Sequence, residues 1–529
     1  MSVRVSLGTS ARAVRDAWDL ASATGLAGRV RAGDASAFGT HAGSARDRLG
    51  WLRAPVEGRG HVADIASLLR QLRSEGVRHA LVLGMGGSSL SPEVTRRTFG
   101  HRSGVELRVL DSTDPTAVAA AGAGVDPERA LYIVSSKSGT TVETLAFLDH
   151  FWAQAEAALG AGAAGPRFVA ITDPGTPLAE EAATRGFRGV AQSPPDVGGR
   201  YSALSPFGLV PMGLAGVPLQ PLLDRAQVAL ASDDGPRLGI ALAALAEAGR
   251  DKVTLVQDPP IGAFGLWVEQ LLAESLGKEG RGVVPVEGEP LADADVYGPD
   301  RAFVYHRMTG EHDADLADLA SEGHPVLTLD VPEPLELGAL YLSWQLAAAC
   351  AGALLGVDPF DQPDVQGAKD ATSAALSAML AGAETHDGLE GPQALARALQ
   401  GAGPGGYLAL QAFCPPSPAM ERGLAAIRVA ARARSGVATT AGFGPRYLHS
   451  TGQLHKGGPE GGVFVQLLSE DEVDLQLPGR SYGFGHLKRA QALGDARALA
   501  ERGRRPVRIG LGPDPREGLA AVLAALGPR

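Results

Sequence analysis

Short apolar runs recur along this chain, each followed by a loop of small residues and then by a longer stretch with helical spacing. Between residues 61 and 225 the runs at 79–83, 106–110, 131–134 and 167–171 read as strands. Strands that alternate with helices predict a parallel, doubly wound α/β sheet. A second set of predicted strands follows at 252–257, 282–286 and 325–329, with helices over 264–276 and 335–355. After GAGPGG at 401–406, which reads as a linker, strands are predicted at 407–412, 436–440, 462–467 and 506–510. Helices are predicted over 420–434, 485–501 and 516–526. Residues 1–60 read as a mainly helical arm, with a helix over 11–21. The expected division is therefore 1–60, 61–230, 231–400 and 401–529, the middle two alike in outline.

Composition narrows the class. At 529 residues the chain is too long for one core,. A net charge of −11 argues against nucleic acid as a partner, so any anionic ligand must be drawn in by local positive groups,. Two cysteines, Cys350 and Cys414, fit a reducing cytoplasm and exclude a disulfide framework or a cysteine zinc cluster,. Residues 1–15 carry Arg4, Arg12 and Arg15 with no apolar run behind them, so no signal peptide is expected,. The uncharged stretch 337–357 is rich in Ala and Gly and holds Ser343 and Gln345. Its flanks are Glu336 and Asp358, which predicts a buried helix rather than a membrane span,. Only six of 48 basic residues are lysine, and four of those six stand inside motif-like strings.

Two loops carry the first chemical signal. GMGGSS (84–89) and SSKSGTT (135–141) each follow a predicted strand and open a helix, over 90–98 and 142–159. Backbone N–H groups and the positive helix end then converge on one spot, which suits a phosphate. Ser88, Ser136, Ser138 and Thr141 add neutral donors. Loops of this kind on neighbouring strands of one sheet predict a phosphorylated small molecule at their carboxyl ends.

Further along, DVGGRYSALS places Arg200 after two glycines, where a permanent positive charge can steady a developing oxyanion,. On the helix from 264, Gln270 and Glu274 lie four apart on one face, just before Gly277 and Lys278,. A carboxylate in a last helical turn sits against the negative helix end, which raises its pKa and suits a general base. FDQPDVQGAK (360–369) holds Gln362, able to meet a sugar hydroxyl, and Lys369 about one turn into a helix. His324 precedes the apolar run PVLTLDV and is a candidate acid–base group; a loop histidine without chemistry is the other reading. LHSTGQLHKGG holds His449, His455 and Lys456. The two histidines stand six apart with no carboxylate close in sequence, a poor metal pattern, so a structural role or one at the substrate rim is expected,.

Taken together these strings resemble the glucose-6-phosphate isomerase family. GMGGSSL, SSKSGTTVET, GGRYSALSPFG, ESLGKEG and FDQPDVQGAK follow the family's order over about 290 residues. GPRYLHSTGQLHKGGP is most similar to the isomerase half of bacterial transaldolase–isomerase fusions. The resemblance implies two sugar-isomerase-type (SIS) domains plus a C-terminal α/β section, and cofactor-free interconversion of glucose 6-phosphate and fructose 6-phosphate. It further implies Glu274 as the base, Arg200 beside the enediolate, and Lys369 and His324 in ring opening. Gly87, Ser88, Ser136, Ser138 and Thr141 would hold the phosphate with Lys137 near, and Gln270 and Gln362 would line the sugar. It implies a homodimer whose ring-opening histidine comes from the partner. Leu276, Pro195, Asp364 and Gln366 depart from the family's strings without removing a proposed catalytic side chain, and His324 lacks the usual context, leaving His449 or His455 as alternatives. A sensor that only binds phosphosugars, or an isomerase of another phosphosugar, would share the two loops; a sensor would not need Glu274, Arg200 and Lys369 as well.

Overall fold

The computed structural model describes residues 2–363, 365–382, 388–403 and 405–527. Its strands gather into three five-stranded sheets. The first is β2 (His79–Gly84), β3 (Glu106–Leu110), β4 (Ala130–Ser135), β5 (Phe168–Thr172) and β6 (Gly189–Gln192), ordered β3-β2-β4-β5-β6 and parallel throughout. β4 is buried along its whole length while the edge strand β6 is largely exposed, which is why only the inner strands read as unbroken apolar runs,.

The second sheet is ordered β1-β10-β9-β7-β8, from β7 (Lys252–Gln257), β8 (Val284–Glu287), β9 (Arg301–Arg307), β10 (Val326–Asp330) and the antiparallel β1 (Val3–Ser6). Two of these strands escape the apolar pattern. β1 turns the start of the N-terminal arm into sheet, pairing Val3 to Ser6 with Leu329 to Val326. β9 reads RAFVYHR, with charged or titratable groups at both ends, yet Arg301 is wholly buried against Glu289 at 2.8 Å. Its His306 accepts the Trp344 indole N–H at 2.8 Å. Such burial is tolerated because each of these side chains keeps a polar partner,.

The third sheet is ordered β11-β15-β14-β12-β13, from β11 (Leu389–Glu390), β12 (Tyr407–Phe413), β13 (Ala438–Phe443), β14 (Gly462–Ser469) and β15 (Val507–Gly512), again parallel. The α/β architecture expected from the strand–helix alternation is present in all three.

The stretch weighed as a membrane span forms the helix Leu337–Leu355, buried from Leu337 to Gly352. Its small residues let the helix Asp234–Glu247 approach so closely that a Cβ on Gly239 would stand 2.0 Å from the Ala347 carbonyl oxygen. Among the described residues Pro334–Leu355 is the one helix long and apolar enough to cross a bilayer, and its apolar stretch is almost wholly buried inside the protein.

Candidate active site

The helix Phe264–Leu276 is buried along nearly its whole length and supplies the centre of the site. Glu274 is 5% exposed. Its Oε1 accepts from Gln270 Nε2 at 3.2 Å, and its Oε2 from Gln362 Nε2 at 2.5 Å and Arg200 at 3.3 Å. Loss of water pushes its pKa above the ordinary carboxylate range, while Arg200, Gln270 and His449 pull it back,. Burial, rather than the helix end invoked from sequence, is the leading cause.

Arg200 is also buried and spends its remaining donors on neighbours: Nε on Ser275 Oγ at 2.8 Å, and one terminal nitrogen on the carbonyls of Pro359 and Asp361 at 2.7 and 3.0 Å. The guanidinium is thus pinned across the mouth of the turn that carries Gln362. Lys278 pins that turn from the other side, donating to the carbonyls of Asp358 and Asp361 and to the Asp361 carboxylate. Burial and the nearby Arg200 bring its ammonium pKa down to about 8. Lys369 falls on the helix Val365–Leu380, with its side chain outside the described residues.

Pairing of β2 with β4 sets Gly84 opposite Ser135, so both glycine–hydroxyl loops leave the sheet side by side. Ser136 and Thr141 share a hydroxyl hydrogen bond at 2.9 Å, as do Ser138 and Thr140. Ser88, within the first loop, is buried. Gly87 is required by close approach: a Cβ there would lie 2.0 Å from the Gly199 carbonyl oxygen. One on Gly86, at φ +55°, would meet the His449 carbonyl and the Gln270 amide,. The first loop therefore wedges against the Arg200 turn, Gln270 and the His449 loop at once. Lys137 is not turned loose on the pocket; its ammonium pairs with Asp173 and reaches the Pro195 carbonyl at 3.2 Å.

The histidines separate clearly. His324 does not join the cluster: it precedes β10, packs edge-on against Tyr297 and Phe303, and sets Nε2 3.3 Å from the Ala294 carbonyl. Nothing in EGHPVLTL distinguishes this core position from a reactive one. His455 is buried against Gln411, with its pKa driven down to about 3 by burial. His449, by contrast, stands at the site. Gln270 donates to its backbone carbonyl at 2.8 Å, and its Nε2 lies 2.9 Å from Glu143, which also accepts from Gln491 at 2.6 Å. Glu143, Gln491 and the bracing role of Lys278 were invisible in the linear pattern; the scarcity of lysine was the one hint toward Lys278. Among the described residues no group of three or more His, Cys, Asp or Glu side chains is placed to hold a metal ion.

Residues 70–228 match the phosphoglucose isomerase family. A glucose-6-phosphate isomerase of Rubrobacter xylanophilus is 30% identical over 388 residues, spanning 62% of this chain and 89% of the relative. The chain belongs to the glucose-6-phosphate isomerase family. A second glucose-6-phosphate isomerase, from Thermus thermophilus, is 31% identical over 376 residues, 60% of this chain and 88% of that one. Among solved structures, a hypothetical protein of Thermus thermophilus superposes with a TM-score of 0.61 at 26% identity, covering 71% of this chain and all of that one. The glucose-6-phosphate isomerase of Chlamydia trachomatis shares the fold at a TM-score of 0.52 and 19% identity, over 62% of this chain and 75% of that one. The isomerase match at 70–228 contains both phosphate-type loops and Arg200, whereas Glu274, Gln362 and His449 lie beyond it.

Proposed function

We propose that this chain interconverts glucose 6-phosphate and fructose 6-phosphate, with Glu274 as the base that moves a proton between C2 and C1 of the open-chain sugar. The observation that carries the reading is one buried carboxylate held by Arg200, Gln270 and Gln362 beside two phosphate-type loops. Abstraction at C2 turns the C1 aldehyde into an enediolate, a proton passes from the C2 hydroxyl to the C1 oxygen, the abstracted proton returns to C1, and the C2 oxygen becomes the ketone. A base for this step must be strong yet able to ionise: burial raises the Glu274 pKa and so strengthens the base, while Arg200 and Gln270 favour its ionised form,. Arg200 supplies fixed positive charge where the enediolate oxygen develops. Gln270 Oε1 is buried without a partner, an acceptor left for a sugar hydroxyl,.

Ser88, Ser136, Ser138, Thr141 and the backbone of Gly87 hold the phosphate in this reading, and Gln362 meets the sugar. Lys137 acts at one remove by fixing its loop to Asp173. Lys369 remains a ring-opening candidate on its place in the motif. Of the three histidines, His449 is the one that neighbours Gln270 and Glu274, and it takes the ring-opening role in place of His324. The cysteine usage supports a cytoplasmic setting and the resemblance supports a homodimer, which sedimentation of the purified chain tests.

The deciding experiment measures fructose 6-phosphate turnover, coupled to nicotinamide reduction by added glucose-6-phosphate dehydrogenase, for the native chain and Glu274→Gln. The expected result is rapid turnover that falls by about 10²–10⁴-fold in the variant while phosphosugar binding persists. Binding without turnover by the native chain would leave a sensor or an isomerase of a different phosphosugar.

A further inference from the structure

The three sheets share one winding. Numbered by their own chain order, each places its second, first, third and fourth strands side by side: β3-β2-β4-β5, β8-β7-β9-β10 and β13-β12-β14-β15. The second and third sheets match further, because each takes its fifth strand, β1 or β11, from chain that precedes the set. These two units also meet through equivalent parts. Their outer strands β8 and β13 face each other, and Val284, Val286 and Ala438 share one small core with Ala273, Leu454 and Phe464. Contact of the same patch on two like units is the hallmark of a two-fold pair.

The joint is fixed by buried polar groups. Glu289, just past β8, pairs with Arg301 of its own unit and with Arg432 of the other at 3.1 Å. The same carboxylate accepts from the backbone N–H and hydroxyl of Thr439 on β13, at 2.9 and 2.6 Å. Arg428 donates back to the Glu287 carbonyl at 2.8 Å. A network satisfied only in one docking position specifies that position.

What the two units carry is complementary. The helix after the first strand of the second unit bears Gln270 and Glu274; its counterpart Pro418–Ser435 ends in Arg432 and Arg434, with its one acidic residue, Glu421, in the first turn. The connection after the second strand reverses this. Residues 288–300 of the second unit contain no histidine, whereas 444–461 of the third contain His449, His455 and Lys456. That loop folds back across the joint so that Gln270 meets the His449 carbonyl and Gly86 lies beneath it.

We infer that residues 401–529 are a built-in second copy of the base-bearing unit, and that one chain closes a complete isomerase site with Glu274 from one copy and His449 from the other. The inference rests on the proposed isomerase reading, and it makes any association between chains unnecessary for catalysis.

The test is cis–trans complementation. Glu274→Gln and His449→Gln chains, each expected to lose at least tenfold in turnover, are co-expressed under different affinity tags, and turnover is measured on the mixture and on any doubly tagged species. Sites made in cis leave the mixture no more active than the sum of the two variants. Sites made between subunits would restore a quarter or more of native turnover, and that result overturns the inference. Melting curves and fructose 6-phosphate binding confirm that each variant folds, with His449→Asn as the second substitution at that position. Native-like turnover by His449→Gln would also overturn the inference while leaving the Glu274 reading intact. Absence of turnover in the native chain would instead remove the isomerase reading beneath it.

Discussion

Two glutamates on opposite sides of one helix show how surroundings divide a carboxyl's role. Glu269 and Glu274 stand five residues apart on Phe264–Leu276, about 140° around the axis, so they face different neighbours,. Both are buried, and burial raises both pKa values. Glu274 is bracketed by Arg200, Gln270 and Gln362, whose donors favour its ionised form and aim it. Glu269 lines a cleft with Glu287, Arg428 and Arg446, and its pKa is pushed up to about 8. Residue type and burial are therefore not what makes a base; the hydrogen bonds that keep the ionised form in place are.

The sharpest way to break this comparison is to neutralise each member. Glu274→Gln should cost about 10²–10⁴-fold in kcat, and Glu269→Gln should leave kcat within about twofold. Equal losses in the two variants would mean that the helix, not the carboxyl, is what turnover senses. Next in size is Arg200→Lys. A single ammonium cannot reach Ser275, Glu274 and the carbonyls of Pro359 and Asp361 together, so the turn bearing Gln362 loses an anchor,. A fall of about 10²–10³-fold in kcat is expected, in line with loss of a preorganised oxyanion partner. A change in KM alone would show that Arg200 only shapes the pocket.

The partners that separate the two glutamates come from distant places in the chain, and that sets what sequence could reveal. Helix Phe264–Leu276 and strand β7 coincide with their expected bounds, because apolar periodicity is a local property,. Arg200, Gln270, Glu274 and Gln362 were each legible through motif and spacing, and the fold brings them together. Strand β9 was not legible, since a buried Arg301–Glu289 pair inverts the usual hydropathy signal. His324 misleads for the converse reason: a histidine filling an aromatic corner and one facing solvent look alike in a string. The pairing of His449 with Glu143 spans 306 positions, and no local pattern encodes it.

A smaller effect appears in stability. Glu269 titrates near 8 in the folded chain and near 4.5 when unfolded, so between those values the folded state holds the extra proton. Its contribution is complete below about pH 4.5 and is lost as pH rises through 8,. Glu287, also raised to about 8, acts in the same direction. Glu269→Gln removes one such group, and the variant should gain on the native chain by a few kcal/mol between about pH 5 and 9. Urea melts at several pH values measure this, and parallel pH dependences would show that Glu269 is hydrated rather than buried.

The smallest shift tests the other glutamate. Gln270 donates to Glu274 Oε1 at 3.2 Å and thereby favours the carboxylate over the acid. Met at this position keeps the volume but not the donor. The Glu274 pKa should then climb further, moving the acid limb of kcat/KM upward by about half a unit to one unit. Activity is lost as pH falls through that pKa, so the variant should be weakest relative to native at low pH and recover toward it at high pH. Gln270 also supports the His449 carbonyl and offers Oε1 to a sugar hydroxyl, and losses from those sides would lower kcat/KM equally at every pH. The two contributions are thus read separately, one as a displacement of the profile along the pH axis and the other as a drop in its plateau.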